Sequence, residues 1–367
     1  MTGAGARAGK LFNARYSRGP RWIEEAPGRV NLIGDHTDYS GGLVLPAALT
    51  VTTAVACDMS QGGGTVLVSE SMPNEAEFVP GRTGVKGWGS YAAGVAWALV
   101  EDGFEVPQLE VAIASDVPTG SGLSSSAALE VALARAWRAA GKLDVSDVQL
   151  ALLCRKAENH YVGIPSGIMD QFAASVASPG QALLLDCQTL AYRTLPIPAG
   201  WSFVVVDSGE SRHLTGTAYA HRVQECGQAA ALCGLSSLRE LAEGDLSGLR
   251  GVALKRARHV YTENRRVQLA ARALEEADAT AFGELMSQSH ASLRDDFEVS
   301  SPALDALVEA AARFAGCMGS RLTGAGLGGC TVHLLDERTD RLAAAFARHV
   351  HGEVPNAKVV SVLRQVR

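Results

Sequence analysis

The sequence predicts an α+β protein of two domains. Short apolar runs between Gly/Pro turns interleave with longer helical stretches, without the regular strand–helix–strand rhythm of a doubly wound sheet. At 367 residues the chain is long enough for two cores. Pro196-Ile-Pro198-Ala-Gly200 is the clearest break between periodic segments, which gives domains over 1–197 and 198–367.

The elements follow in order. Residues 1–10 are Gly/Ala-rich, with only Arg7 and Lys10 charged and no apolar stretch behind them. They read as a loose terminus and not as a signal peptide. Apolar runs at 22–25, 30–33, 51–56, 65–69 and 111–114 read as strands. Helices follow at about 125–140 and 148–162, the second with Leu150, Leu153, Cys154 and Ala157 on one face. Residues 180–185 return to strand. Beyond the break, 203–206 is a strand, and helices are expected at about 218–233, 254–277, 279–292 and 302–315. Strands at 331–335 and within 356–365, around Val359, Val360 and Val362, complete the pattern.

Composition excludes several classes. A net charge of −6 argues against nucleic acid or an anionic membrane as the main partner. No apolar run approaches the ~18 residues that a membrane span needs. Seven cysteines at 57, 154, 187, 226, 233, 317 and 330 form no Cys-x-x-Cys pair. They read as reduced thiols of a cytoplasmic protein, with neither a disulfide frame nor a zinc site.

Residues 118–128, Pro-Thr-Gly-Ser-Gly-Leu-Ser-Ser-Ser-Ala-Ala, are the most informative run. Gly120 and Gly122 permit tight turns and close approach to a ligand. Ser124, Ser125 and Ser126 stand where a helix begins, and its unpaired N–H groups suit a phosphate chain. A serine hydroxyl can also ligate Mg²⁺. The chain has neither a Walker-type Gly-x-x-x-x-Gly-Lys-Ser/Thr nor a convincing dinucleotide fingerprint.

Three further segments carry polar chemistry. Residues 26–42 crowd Arg29, Asp35, His36 and Asp38 between glycines. Short carboxylates suit sugar hydroxyls, and a solvated turn or a metal site stays open for this segment. Residues 157–171 place Asp170 in an apolar context after Gly167, as a helix cap or a functional acid or base. On pattern alone, Glu158 there is a solvated helix charge. Residues 321–330, Arg-Leu-Thr-Gly-Ala-Gly-Leu-Gly-Gly-Cys, form a glycine turn before a strand and are weak evidence alone.

Together these segments resemble the GHMP family of small-molecule kinases, and within it the galactokinases. The likeness spans nearly the whole chain. Residues 28–39 resemble the galactokinase signature, 118–128 the ATP loop and 322–330 the third glycine motif; 258–264 and 289–300 also resemble galactokinase segments. The resemblance implies a two-domain GHMP kinase fold with the active site in the cleft between domains. It implies ATP and Mg²⁺ as cofactors, D-galactose as substrate, galactose 1-phosphate as product, and a cytoplasmic monomer. Asp170 matches the proposed base at the O1 hydroxyl, and Arg29 the arginine that offsets charge on the transferring phosphoryl. Ser126 and Glu158 match the Mg²⁺ ligands, which replaces the reading of Glu158 as a surface charge. Gly120, Ser121, Gly122, Leu123, Ser124, Ser125 and Ser126 match the phosphate cradle, and Trp88 an aromatic residue near the adenine. Asp35, His36, Asp38, Gly167 and Tyr219 match sugar contacts.

The sequence departs from the pattern at Asp35, where galactokinases usually have Glu, so the preference at C6 of the sugar is open. Ser166 and Ser301 stand where Cys is common, and the segment 212–219 is one residue short. Two alternatives accompany the main reading. One is a related sugar-1-kinase that accepts L-arabinose or another galactose-like sugar. The other is a non-catalytic sugar and ATP sensor, which the intact serine run, Glu158 and Asp170 disfavour.

Overall fold

The computed structural model describes residues 3–210, 215–336 and 341–365. Its contacts gather into two compact units. One holds Met1–Gly28, Thr50–Pro118 and Ser124–Val176; the other holds Arg29–Leu49, Thr119–Leu123 and Ala177–Arg367.

In the first unit the strand Leu109–Ser115 is central. It pairs antiparallel with residues 53–59 of the strand Pro46–Met59 and parallel with Thr65–Ser69, which pairs with Ala76–Phe78. Its burial is nearly continuous because both faces are covered. On one face Val111, Ile113, Val55 and Cys57 meet apolar residues of the helices Gly89–Glu101, Ser125–Gly141 and Asp147–Lys156. On the other, Ala112, Ala114, Ala54 and Ala56 receive Ala4, Ala8 and Phe12 of the helix Gly3–Tyr16. Where a loose terminus is expected over residues 1–10, residues 3–10 therefore belong to an ordered helix. Its buried stripe repeats every four residues, but it is built of alanines whose hydropathy barely marks it.

The helix expected at 148–162 is regular only over Asp147–Lys156, where Ser146 and Gln149 form a reciprocal capping box. Residues Ala157–Val162 then widen into a π turn that Gly163 ends in a left-handed conformation. Such turns often mark functional sites. The short helix Met169–Val176 follows, which residue patterning did not separate from its loop.

In the second unit, Cys317–Leu322, Cys330–Asp336, Trp201–Asp207 and Lys358–Leu363 form an antiparallel four-stranded sheet in that order. Val204, Val206 and Leu335 pack under Leu307, Ala311, Phe346 and Val350. These last four lie on the helices Pro302–Ala312 and Arg341–Glu353. Gln181–Asp186 pairs with Leu43–Val44 and Tyr192–Pro196. The helices Thr215–Leu232, Gly251–Glu275 and Ala279–Asp295 complete the unit. Among the described residues no helix is long and apolar enough to cross a membrane.

Candidate active site

The serine run sits at the start of the helix Ser125–Gly141. Ser124, the residue before it, has a left-handed backbone (φ 59°, ψ 50°), which is uncommon for a residue with a Cβ. That conformation aims its hydroxyl at Asp170 Oδ2, to which it donates a hydrogen bond. Asp170 lies half-buried in the first turn of Met169–Val176. Two residues on, Ser126 Oγ donates to Glu158 Oε1 at 3.2 Å. Glu158 belongs to the π turn and is buried. Its Oε2 accepts from Ser166 Oγ at 2.6 Å and from Gln171 Nε2 at 2.8 Å. The same Gln171 amide donates to Glu130 Oε2 at 3.1 Å.

This is a concentrated set of acids. Burial raises the Glu158 carboxyl above its usual value, and the charge of Asp170 adds to the rise. Glu130 is raised further, by burial and then by Glu158. A divalent cation beside Glu158 would reverse that shift. The donor set at its exposed side, a hydroxyl and one carboxylate, consists of hard oxygens and fits Mg²⁺. That ion commonly takes one or two carboxylates and completes its shell with water and substrate phosphates. Accordingly, no group of three or more His, Cys, Asp or Glu forms a cage among the described residues.

The signature segment is organised within the second unit. Arg29 Nη1 donates to the Gly122 carbonyl at 2.7 Å, and the Arg29 amide donates to the Leu123 carbonyl at 3.1 Å. Arg29 thus fastens the glycine turn that precedes the serine run. Gly34 has φ 102°, and a Cβ there would lie 2.8 Å from both the Leu43 carbonyl and Val267 Cγ2. Its amide donates to Glu263 Oε1 at 2.9 Å. Asp35, 1% exposed, accepts from Arg321 Nη2 on one oxygen and from the Gly324 amide at 3.0 Å on the other. His36, with φ 63°, is held by Tyr39 Oη at 3.1 Å and donates from Nε2 to the Ala325 carbonyl at 3.2 Å. Its ring lies 4.7 Å from that of Phe297, and burial lowers its pKa to about 3, so the imidazole is neutral. Glu263 also accepts from Ser289 Oγ and Arg266 Nε. Four segments singled out in the sequence, 26–42, 258–264, 289–300 and 321–330, therefore converge on one buried polar network.

The remaining expected residues differ in their surroundings. Asp38 opens a single 3₁₀ turn and is half-buried. Tyr219 lies 5.8 Å from His36 and 5.5 Å from Tyr39, ring to ring. Arg212, His213 and Leu214, which precede it in the shortened segment, lie outside the described residues. Gly167 is buried, Gly120 is exposed, and Ser121 and Leu123 are buried. Ser125 is half-buried. Trp88 directs its indole N–H to the Asn74 carbonyl at 3.2 Å. Beside it, Gly87, Ser90, Trp97 and Tyr161 line a cleft of about 450 Å³.

Residue patterning missed Glu130, Gln171, Arg321 and Glu263 as site residues. Glu130 had a visible signal, a carboxylate among Ala127, Val131 and Ala134 on a helix that is otherwise apolar inward. Arg321 gave none, since its partner is 286 positions away.

Comparison with known proteins bears on this constellation. The family profile described as GHMP kinases N terminal domain matches residues 90–178, and that described as GHMP kinases C terminal matches 270–352. The profile described as Galactokinase galactose-binding signature matches residues 10–59. A galactokinase of Roseiflexus sp. (strain RS-1) is 44% identical over 336 residues, covering 89% of this chain and 86% of the relative. The chain belongs to the galactokinase family. A second member, from Streptomyces coelicolor, is 40% identical over 347 residues, with 89% and 88% covered. The crystal structure of Lactococcus lactis galactokinase complexed with galactose superposes with a TM-score of 0.90 at 33% identity, covering 97% of each chain. Methanococcus jannaschii mevalonate kinase, at 19% identity and a TM-score of 0.70, shares the fold. Galactokinase family membership accounts for the serine run, the signature and the glycine turn on one chain.

Proposed function

We propose that the chain transfers the γ-phosphoryl group of ATP to the anomeric hydroxyl of α-D-galactose, giving galactose 1-phosphate and ADP. One observation carries this reading beyond family membership. Two serines of the phosphate loop, two residues apart, hold the two acids that the chemistry needs: Ser124 holds Asp170, and Ser126 holds Glu158.

Phosphoryl transfer needs mainly positioning and charge stabilisation. Residues 120–126 receive the phosphate chain. Asp170 takes or orients the proton of the sugar's O1 hydroxyl, and Arg29 offsets charge on the transferring group. Ser126 and Glu158 hold Mg²⁺, which neutralises phosphate charge when bound. Asp38, Gly167 and Tyr219 contact the sugar, Asp35 and His36 shape that site, and Trp88 borders the adenine. The domains act as 1–197 and 198–367. The protein works as a cytoplasmic monomer. Relatives that carry the galactokinase name disfavour both a sugar-1-kinase with changed C6 preference and a sensor.

Asp170→Ala tests the assignment. Loss of a general base costs roughly 10²–10⁴-fold in turnover. The expected variant has kcat reduced by at least that range while Mg·ATP affinity stays within about threefold. Near-normal turnover would reject Asp170 as the base.

A further inference from the structure

We infer that Gln171, seated on Glu130, is a positioning residue that holds Glu158 in its metal-binding orientation; the inference rests on the reading of Ser126 and Glu158 as the Mg²⁺ pair. The amide nitrogen of Gln171 has two hydrogens, and both are used. One goes to Glu158 Oε2 at 2.8 Å, the other to Glu130 Oε2 at 3.1 Å. A carboxylate that must face a cation with one oxygen needs its other oxygen fixed, and Glu158 is arranged in that way. Its Oε1 faces Ser126, and its Oε2 is turned inward to Gln171 and Ser166. Outer groups of this kind commonly change metal affinity or activity by about 10–100-fold when removed.

Glu130 gives the bridge its rigidity. It is 0% exposed, as is Gln171, and it lies on the inward face of the same helix that opens with the serine run. Nothing in the proposed chemistry uses it. Glu130 Oε1 and Gln171 Oε1 are both buried without a hydrogen-bond partner, which is costly unless the pair is needed where it is. Burial and the neighbouring charge of Glu158 favour the neutral carboxyl of Glu130, in which a proton can serve one of these oxygens. Gln171 also follows Asp170 directly in the chain. The first turn of Met169–Val176 thus presents the base with one residue and steadies the metal carboxylate with the next.

The test is the Mg²⁺ dependence of ADP binding, read by titration calorimetry on the full chain with and without Mg²⁺. Gln171→Asn keeps the polarity and nearly the volume but withdraws the amide by one methylene. Gln171→Leu removes the donors outright. Both should raise the Mg²⁺ concentration for half-maximal enhancement by at least about tenfold. Metal-free ADP affinity of Gln171→Asn should stay near wild type, and its melting temperature, lowered by the stranded acceptors, should remain above the assay temperature. Glu130→Gln, which keeps an acceptor for the amide, should retain the Mg²⁺ response; Glu130→Leu should lose it. Glu158→Ala serves as the reference. If Glu158→Ala loses the response while both Gln171 variants keep it, the positioning role is wrong and the metal pair stands. If Glu158→Ala keeps the response, both the pair and the positioning role fall.

Discussion

At the scale of single residues, Asp35 shows what a sequence can and cannot disclose. The signature that contains it was legible from residue types alone: short acids, an arginine and a histidine between glycines. The use made of the acid was not, because Arg321 lies far along the chain. Arg321 is 0% exposed and donates to Asp35 and to the Asn31 carbonyl at 3.1 Å. Burial raises the Asp35 carboxyl, while Arg321 and then Arg29 pull it back. Asp35 is thus committed to holding Arg321 and the glycine turn. Removing one partner of a buried ion pair strands the other, at about 3–5 kcal/mol. Asp35→Ala should therefore lose stability on that scale in urea unfolding, well above the cost of truncating an exposed acid. A loss under about 1 kcal/mol would show that Asp35 is not the counter-charge of Arg321. Glu158 makes the converse point. Helical periodicity made it a surface charge, and only the π turn, which local pattern does not announce, turns it inward.

At the scale of elements, the helices at 125–140, 254–277, 279–292 and 302–315 were legible, while the helices Gly89–Glu101 and Arg341–Glu353 and the strand Tyr192–Pro196 were not expected, nor were elements built of small residues. The helix Gly3–Tyr16 and the strand Cys317–Leu322 escaped for that reason. Glycine in the latter has a packing role. The helix Ala279–Asp295 crosses it so closely that a Cβ on Gly283 would lie 1.9 Å from the Met318 carbonyl, and one on Gly319 would lie 2.2 Å from the Gly283 carbonyl. These contacts are backbone to backbone and cannot be relieved by a rotamer change. Gly283→Ala should destabilise by at least the ~1–3 kcal/mol typical of overpacking, despite the better helix propensity of alanine. Thermal melting checks this, and an unchanged or raised melting temperature would show that the two elements separate readily. On that helix Ser289 bonds Glu263 and Ser292 bonds His259, so a shift there should also disturb the buried network.

At the scale of the whole molecule, the α+β class was legible from the interleaving of strands and helices, and the family from five segments in order. The grouping of contacts was not, since it follows no single cut in the chain. Acid stability is a property at this scale. Burial lowers His36 and His333 to about 3, and His259 and His290 to about 4, from a usual 6.5. The unfolded chain therefore binds these protons first as pH falls, and their contribution to stability is lost between about 6.5 and 3. At pH 5.5 unfolding should take up roughly three to four protons at these imidazoles, less what buried carboxyls raised in the fold, Glu130 above all, release; the pH slope of urea unfolding reads the net uptake. A flat slope between pH 7.5 and 5.5 would mean that these imidazoles titrate in the fold as they do in the unfolded chain, which contradicts their lowering by burial. Function is tested most directly by ADP release from Mg·ATP with D-galactose, D-glucose, L-arabinose, N-acetylgalactosamine or no sugar. Release that depends on sugar and is strongest with D-galactose is the expected result. A stronger response to another sugar would overturn the assigned substrate, and silence with every sugar would contradict catalysis itself.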